Sequence, residues 1–468
     1  MRAYNALPLD DDILDRIFAF LSDFDTLRAL ILTSKAFHSI FQAHPNSIIR
    51  AISYNLVGPA LPQAVRYMRH QAKKSSEDDS DGSATEDSDE EDEEGTGTSK
   101  KQPPRPAPEP ESSAIAPIKR SETSSLANNH TVVKKLEDIF SRKHKDRSFS
   151  SSALTSMESW RFRRATYRIM LFAELFPWSL YDDDDYDDAA VEQIIIQHRK
   201  FLEDFMTPEL QELYSVALFL VELNQNLLSR TDPIGDHSYG VIALSCGPLA
   251  TLSAFEDCDT DFWEELQDSN IPISDDDDRP SPVHDYLLRP LKKVMERRKA
   301  TLRKPDDVEH WKNILDVIVG EHDPCQKCSA SPGGFNLYNH KNWDTLAKVF
   351  DKFGLWGVRS LLKGNLTSNV GELANYNNVF TRPFDYHKFM EETFEFKRGT
   401  FNDWEKEDWL CESCVRSFIT YHLHFWVLEK KKEAGTIIPE DCWYGYNCRT
   451  QTHSLHHAQT RNHFCEPT

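Results

Sequence analysis

Residues 7–41 read LPLDDDILDRIFAFLSDFDTLRALILTSKAFHSIF, and the apolar spacing in this run decides the N-terminal fold. Ile13, Leu14, Ile17, Phe18 and Leu21 recur on one helix face, with Asp12 placed to cap the helix. Asp25 is placed to cap a second helix that turns Leu27, Leu30 and Ile31 inward. A third is expected from about Ser34, with Phe37, Ile40 and Phe41 as its stripe. Asn46, after Pro45, starts a fourth that must stop at the Gly58-Pro59 breaker, and Pro62–Arg69 closes the module. A helical unit this small cannot hide all of these side chains internally, so the surplus is expected to face a partner helix or groove.

Beyond residues 1–70 the material changes. Within 73–130, Ser75–Gly95 is almost wholly Ser, Asp and Glu, and Lys100–Pro117 is proline-rich. Neither stretch has the apolar area to offset the entropy of ordering, so 73–130 reads as a disordered linker. Ser76, Ser83 and Ser88 each have an acid three residues on, a pattern that suits acidophilic kinases and is common in any acidic tract. The helical period returns over 131–304. Val132, Val133, Leu136, Ile139 and Phe140 mark one helix, and Trp160–Phe176, Val191–Phe205 and Glu209–Leu228 mark others. The Asp182–Asp188 and Asp275–Asp278 loops lack the spaced oxygens and turn glycine of a calcium loop and read as solvated. Residues 305–468 are aromatic, Cys- and His-rich and less regular, with helices expected near Trp343–Phe353 and Val415–Lys432. The fold class is therefore mainly α, with an irregular C-terminal part.

The chain has 468 residues and a formal net charge of −22 at pH 7. Such a surface repels nucleic-acid phosphate and anionic lipid, which makes nucleic acid an unfavoured partner. Neither a secretory leader nor a membrane span is read from the sequence, and a nuclear or cytoplasmic location is expected.

The 7–41 run resembles the F-box motif. Leu7-Pro8 matches its opening, at a slightly longer distance from Ile13 than in the common pattern. Asp12-Ile13-Leu14 with Ile17, Phe18 and Leu21 matches its first helix. Asp25, Leu27 and Leu30 match its middle, and Ser34-Lys35 with Phe37 its close. SWRFRRATYR (159–168), GDHSYGVIALSCGPLA (235–250) and CWYGYNCRTQTHSLHHAQTRNHFC (442–465) are similar in style to fungal F-box proteins. The resemblance implies a substrate-recruiting subunit of a cullin–RING (SCF-type) ubiquitin ligase. Leu7, Pro8, Ile13, Leu14, Ile17, Phe18, Leu21, Leu27 and Leu30 would then lie at or beside the adaptor, and the rest of the chain would hold an unidentified protein substrate.

Seven of the nine cysteines follow Pro324. Cys325/Cys328 and Cys411/Cys414 are CxxC pairs; Cys442 and Cys448 flank WYGYN; His453, His456, His457, His463 and Cys465 follow. Thiolates two residues apart can both reach one tetrahedral zinc, and two closed structural sites need eight ligands. The seven thiols with His457 or His463 supply that number. In one partition the CxxC pairs share an ion and the tail holds a second. In the other, Cys411/Cys414 join Cys442/Cys448, and Cys325/Cys328 join His463/Cys465. Spacing does not choose between them.

No GxSxG, GxxxxGK[ST], HExxH or GxGxxG pattern occurs, so a binding protein rather than a catalyst is expected. The rival reading is a non-catalytic zinc scaffold or chromatin-associated protein using Arg142–Arg147 and Arg161–Arg168. In so acidic a chain a basic helix stripe is more readily spent on internal salt bridges. A zinc hydrolase, which needs an open ligand position, is the weakest reading.

Overall fold

The computed structural model describes residues 11–78, 111, 117–146, 152–177, 188–231, 243–257, 286–304, 307–331, 337–350, 357–381 and 384–468. Leu7, Pro8, nearly all of the acidic and proline-rich runs, and residues 182–187 and 275–278 lie outside these. The fold is predominantly helical, with a single two-stranded sheet among the described residues. The chain divides into two compact units.

The first unit comprises Met1–Ile139, Leu154–Val221 and Val241–Leu302. It opens with α1 (Asp11–Ala19), α2 (Phe24–Thr33), α3 (Lys35–Ala43), α4 (Pro45–Val57) and α5 (Leu61–Asp78). Two caps differ from expectation. Asp12 lies inside α1, and α2 is capped by Asp23, whose carboxylate accepts the Thr26 N–H at 2.7 Å, leaving Asp25 in the first turn. The earlier acid wins because only a residue in extended conformation can turn its side chain onto the free amides of the first turn. The third helix begins where expected, with Ser34 as its cap. Pro45 occupies the first turn of α4, where a missing N–H goes unneeded, and Gly58 ends α4 at φ 77°.

Leu14, Phe18, Leu27, Phe37, Phe41, Ile48 and Ile52 form the buried interior of the module, with the Phe18 and Phe37 rings edge-on at 5.6 Å. Asn55 on α4 donates to the carbonyls of Ala19 (2.7 Å) and Leu21 (2.9 Å), which satisfies orphan acceptors at the end of α1.

The linker assignment needs correction at both ends. Helix α5 continues to Asp78, and residues 117–130 belong to the fold: Ile118 and Leu126 are buried, and α6 spans Thr123–His144. Two buried apolar residues, with the Arg69–Glu122 ion pair (3.0 Å), tie this polar stretch to the fold.

Helix α7 (Ser156–Leu175) starts with a capping box between Thr155 and Glu158. Three arginines of its basic stripe are paired inside the unit. Arg163 bonds Glu137 (2.5 Å), Arg164 bonds Glu209 and Glu212 (2.9 and 2.7 Å), and Arg168 bonds Glu111 and Glu209 (2.8 and 3.2 Å). Helices α8 (Asp188–Glu203), α9 (Thr207–Thr231), α10 (Gly247–Asp257) and α11 (Leu288–Arg297) follow.

The second unit comprises Phe140–Ala153, Glu222–Gly240 and Arg303–Thr468. Within it lie β1 (Leu337–Tyr338), α12 (Ala347–Phe350), α13 (Leu373–Val379), α14 (Tyr386–Glu395), β2 (Leu410–Cys411), α15 (Glu412–Glu433) and α16 (Leu455–Thr460). Helix α15 is the spine of an aromatic core. Its Val415, Phe418, Ile419, Leu423, Trp426 and Val427 pack with Trp343, Tyr376, Phe389, Phe394 and Phe464. The helix expected over Trp343–Phe353 begins as a 3-10 turn, Trp343–Leu346, before α12. The Arg142–Arg147 segment is tied down in part: Lys143 and His144 both meet Glu222. Among the described residues no helix is long and apolar enough to cross a membrane.

Candidate metal centres

Cys325 and Cys328 sit on a tight loop. The Cys325 N–H donates to the Ala330 carbonyl (2.7 Å) and the Ser329 N–H to the Cys325 carbonyl (2.8 Å), with Ser329 in the left-handed region at φ 59°. The loop is stitched to the sheet edge by the Gln326 N–H on the Trp409 carbonyl (3.0 Å). Leu337 pairs with Cys411 across the antiparallel β1–β2 ladder. Cys411 is also the N-cap of α15, so Cys414 falls in the first turn of that helix. A CxxC pair at a helix start points both thiols off the same end, and the helix dipole there favours their anionic form.

The outcome is a four-thiol cluster of Cys325, Cys328, Cys411 and Cys414, whose sulfurs all lie within 4.8 Å of one another. Cys325 Sγ is 3.6 Å from Cys414 Sγ, and Cys328 Sγ is 3.5 Å from Cys411 Sγ. These separations are far beyond the roughly 2.05 Å of a disulfide. Burial opposes ionisation of the Cys325 thiol, but backbone N–H groups of Cys328, Cys411 and Lys327 outweigh it and bring the thiol down to about 7. Burial holds Cys411 and Cys414 above the usual thiol range.

The second cluster is Cys442, Cys448, His457 and His463, again with all ligand atoms within 4.8 Å. The Cys442 N–H donates to the Asn462 carbonyl (2.8 Å) and the Asn462 N–H to the Glu440 carbonyl (2.9 Å), which locks the first ligand beside the last. Between the cysteines the chain turns tightly, with the Gly445 N–H on the Cys442 carbonyl (2.8 Å). Gly445 has φ 44°, and a Cβ there would overlap the Cys465 carbonyl oxygen, so only glycine fits. His457 rides on α16, capped by Ser454. Its Nε2 lies 3.4 Å from Cys448 Sγ and 3.7 Å from Cys442 Sγ. Burial pushes the His463 imidazole down to about 4, which keeps it in the neutral, electron-donating form. His463 is 1% exposed, and neither ring nitrogen has a hydrogen-bond partner among the described residues. A buried imidazole without partners is costly, and a metal ion at the cluster would satisfy one of those nitrogens.

Comparison with protein-family models, curated proteins and solved structures returned no match.

The arrangement selects the first partition: each CxxC pair completes the other, and the tail forms its own centre. One expected ligand is displaced. Cys465 stands outside both clusters, its thiol against the Cys442 and Asn462 carbonyls (3.5 and 3.4 Å), and both His457 and His463 belong to the second cluster where one was expected. The reason lies in the bridge at Asn462. It aims His463 inward and carries Cys465, two positions on, past the ligand sphere. His453 and His456, also in the tail, belong to neither cluster.

The N-terminal residues singled out for a partner separate into two groups. Leu14, Phe18 and Leu27 are closed off by the module's own helices and serve its core. Ile13 is 46% exposed, and Ile17, Leu21 and Leu30 are half-buried. Two further apolar side chains face outward, Phe20 at 84% and Leu32 at 79%. Periodicity alone gave no warning of them, because Phe20 lies past the end of α1 and Leu32 sits off the apolar stripe of α2.

Proposed function

We propose that the chain is a non-catalytic, substrate-recruiting subunit of a cullin–RING ubiquitin ligase, that its first two helices dock on the cullin adaptor, and that zinc orders its C-terminal unit. The observation that carries this reading is the state of the N-terminal module. Its core is complete with Leu14, Phe18, Leu27 and Phe37 inside, yet Ile13, Phe20 and Leu32 remain outward within about 20 residues of chain. Outward apolar side chains on a small helical module are of the kind that a partner's groove covers. The order of residues over 7–41 supplies the resemblance that names the partner.

Zinc is the ion that suits both donor sets. Thiolate and imidazole are its preferred ligands, at about 2.3 Å for sulfur and 2.0–2.1 Å for nitrogen. A tetrahedron with those bonds has sulfur–sulfur edges of about 3.8 Å and sulfur–nitrogen edges of about 3.6 Å. The 3.5 and 3.6 Å thiol pairs and the 3.4 and 3.7 Å thiol–imidazole pairs sit close to these values. Four protein donors per cluster leave no position for a substrate water, which favours structural over hydrolytic metal. The chromatin reading loses its main support, since Arg163, Arg164 and Arg168 are spent on glutamates.

The deciding experiment is capture of purified adaptor by the full chain, comparing wild type with Phe20→Asp, Ile13→Asp and Ile17→Asp. Wild type should retain adaptor and the charged variants should lose it while staying folded. Equal capture by all four proteins, or capture by none, removes the ligase assignment.

A further inference from the structure

We infer that Gln63, Arg66 and Arg168 form a receptor for an acidic side chain of a peptide segment, a site that Glu111 of the same chain fills. Gln63 and Arg66 stand three apart on α5 and so share a helix face, and α5 packs along α7, which carries Arg168. All three converge on one carboxylate. Arg168 Nε donates to Glu111 Oε1 (2.8 Å) and its Nη2 to Oε2 (2.9 Å), a two-pronged clamp. Gln63 Nε2 donates to Oε2 (2.6 Å), and Arg66 Nη1 stands 3.7 Å from Oε1.

The walls are held in place by groups other than Glu111. The Arg168 guanidinium lies over the Phe205 ring (4.1 Å to the centroid) and also donates to Glu209 (3.2 Å). Glu209 is itself fixed by Arg164 (2.9 Å) and the Met206 N–H (2.9 Å). Arg66 lies over Phe201 at 5.7 Å. Stacked, buried guanidiniums lose little freedom when an anion arrives, which is the property of a prepared binding site.

Two features distinguish the site from an ordinary structural ion pair. First, the walls are interior and the occupant is at the mouth: the side chains of Arg66 and Arg168 are 6% and 4% exposed, and that of Glu111 is 24%. Second, Glu111 leaves capacity unspent. Arg66 Nε and Arg168 Nη1, both donors, are buried without a hydrogen-bond partner among the described residues. Buried donors are ordinarily paired, so the site offers more than one glutamate side chain uses. The occupant comes from a stretch 48 positions from Gln63 and 57 from Arg168. The same chemistry would accept a glutamate from another polypeptide in its place. This inference is independent of the adaptor-binding face.

The test uses the full chain and a fluorescent peptide of its own residues 108–113, PEPESS. The variant Glu111→Gln should stay folded and should bind the peptide about tenfold or more tightly than wild type, because the resident competitor is weakened. Adding Arg168→Lys to that variant should return binding to the wild-type level, since lysine keeps the charge and loses the two-pronged geometry. A control peptide with both glutamates changed to glutamine should not bind. Equal binding by wild type and Glu111→Gln overturns the inference, as does equal binding of the control peptide. Unfolding of Glu111→Gln would also overturn it, because it would make the glutamate part of the fold and not an occupant.

Discussion

Cys325 and Cys414 stand 89 positions apart in the chain, yet their sulfurs lie 3.6 Å from each other. The loop at Ser329 and the β1–β2 ladder bring them together, and the start of α15 holds the second. A contact of that range is expensive in chain entropy, which a metal ion bonding all four thiols at once would offset. The expected outcome is that purified protein carries two zinc ions by elemental analysis. Cys414→Ser should lower the content to one and expose amides of 325–331 to hydrogen exchange. Finding no metal in protein never exposed to chelator sinks the zinc assignment.

The tail centre separates two candidate ligands. His463→Ala should remove one zinc per chain, and Cys465→Ser should leave both, since only His463 faces the cluster. Metal content of the two variants, measured side by side, settles the matter. The reverse result would restore Cys465 as a ligand.

Gly445 is predicted to be intolerant of a side chain. A Cβ would strike the Cys465 carbonyl at a φ that L-residues avoid, so Gly445→Ala should cost on the order of 1–3 kcal/mol and release the tail metal more readily to a chelator. Gly435, with φ 73° and open space around it, should show only the backbone penalty, of roughly 1 kcal/mol, when changed to Ala. Thermal unfolding of the two variants gives the comparison.

At the N-terminus, core and surface should respond oppositely. Leu14→Ala should destabilise the fold by about 2–5 kcal/mol through lost burial and a cavity. Phe20→Asp should leave stability within about 0.5 kcal/mol, because the ring is already in water. Denaturant midpoints measure both. A large loss from Phe20→Asp would show that the side chain is structural.

Buried histidines set an acid limit on stability. Burial drives His198 down to about 3 and His130 and His422 down to about 4, against about 6.5 for a free imidazole. As pH falls below about 6.5 the unfolded chain takes up protons that the folded chain refuses. The stability contributed by the neutral rings is complete above that value and drains away towards pH 3–4, by up to about 1.4 kcal/mol per ring per pH unit. Denaturant midpoints should be flat between pH 7 and 8 and decline from pH 6.5 downward. A midpoint unchanged from pH 7 to 5 would contradict this.

Much of the module was legible because helices advertise themselves locally. A helix start near Ser34, another beside Pro45 and a stop at Gly58 were all readable from residue type, since each acts on its own few neighbours. The candidate ligands were legible as residue types for the same reason: CxxC spacing is a local signal. The misreadings arose wherever a distant surface decided. Ile118 and Leu126 look isolated in a polar stretch, and only the folded unit buries them. Asp25 reads as the cap of α2 by residue type, and backbone conformation gave that role to Asp23 instead.

Local sequence is enough to make this protein mainly helical, to place its N-terminal helices, and to supply the thiols and imidazoles available for a metal. Helix periodicity, capping and short ligand spacings are properties of a few consecutive residues. Tertiary structure alone decided which cysteine pairs meet, that His463 displaces Cys465, that Phe18 is core and Phe20 is surface, and that Glu111 lies between Arg66 and Arg168. Those outcomes depend on how segments tens of residues apart are packed against each other, and no local pattern encodes the direction in which a side chain points once they are.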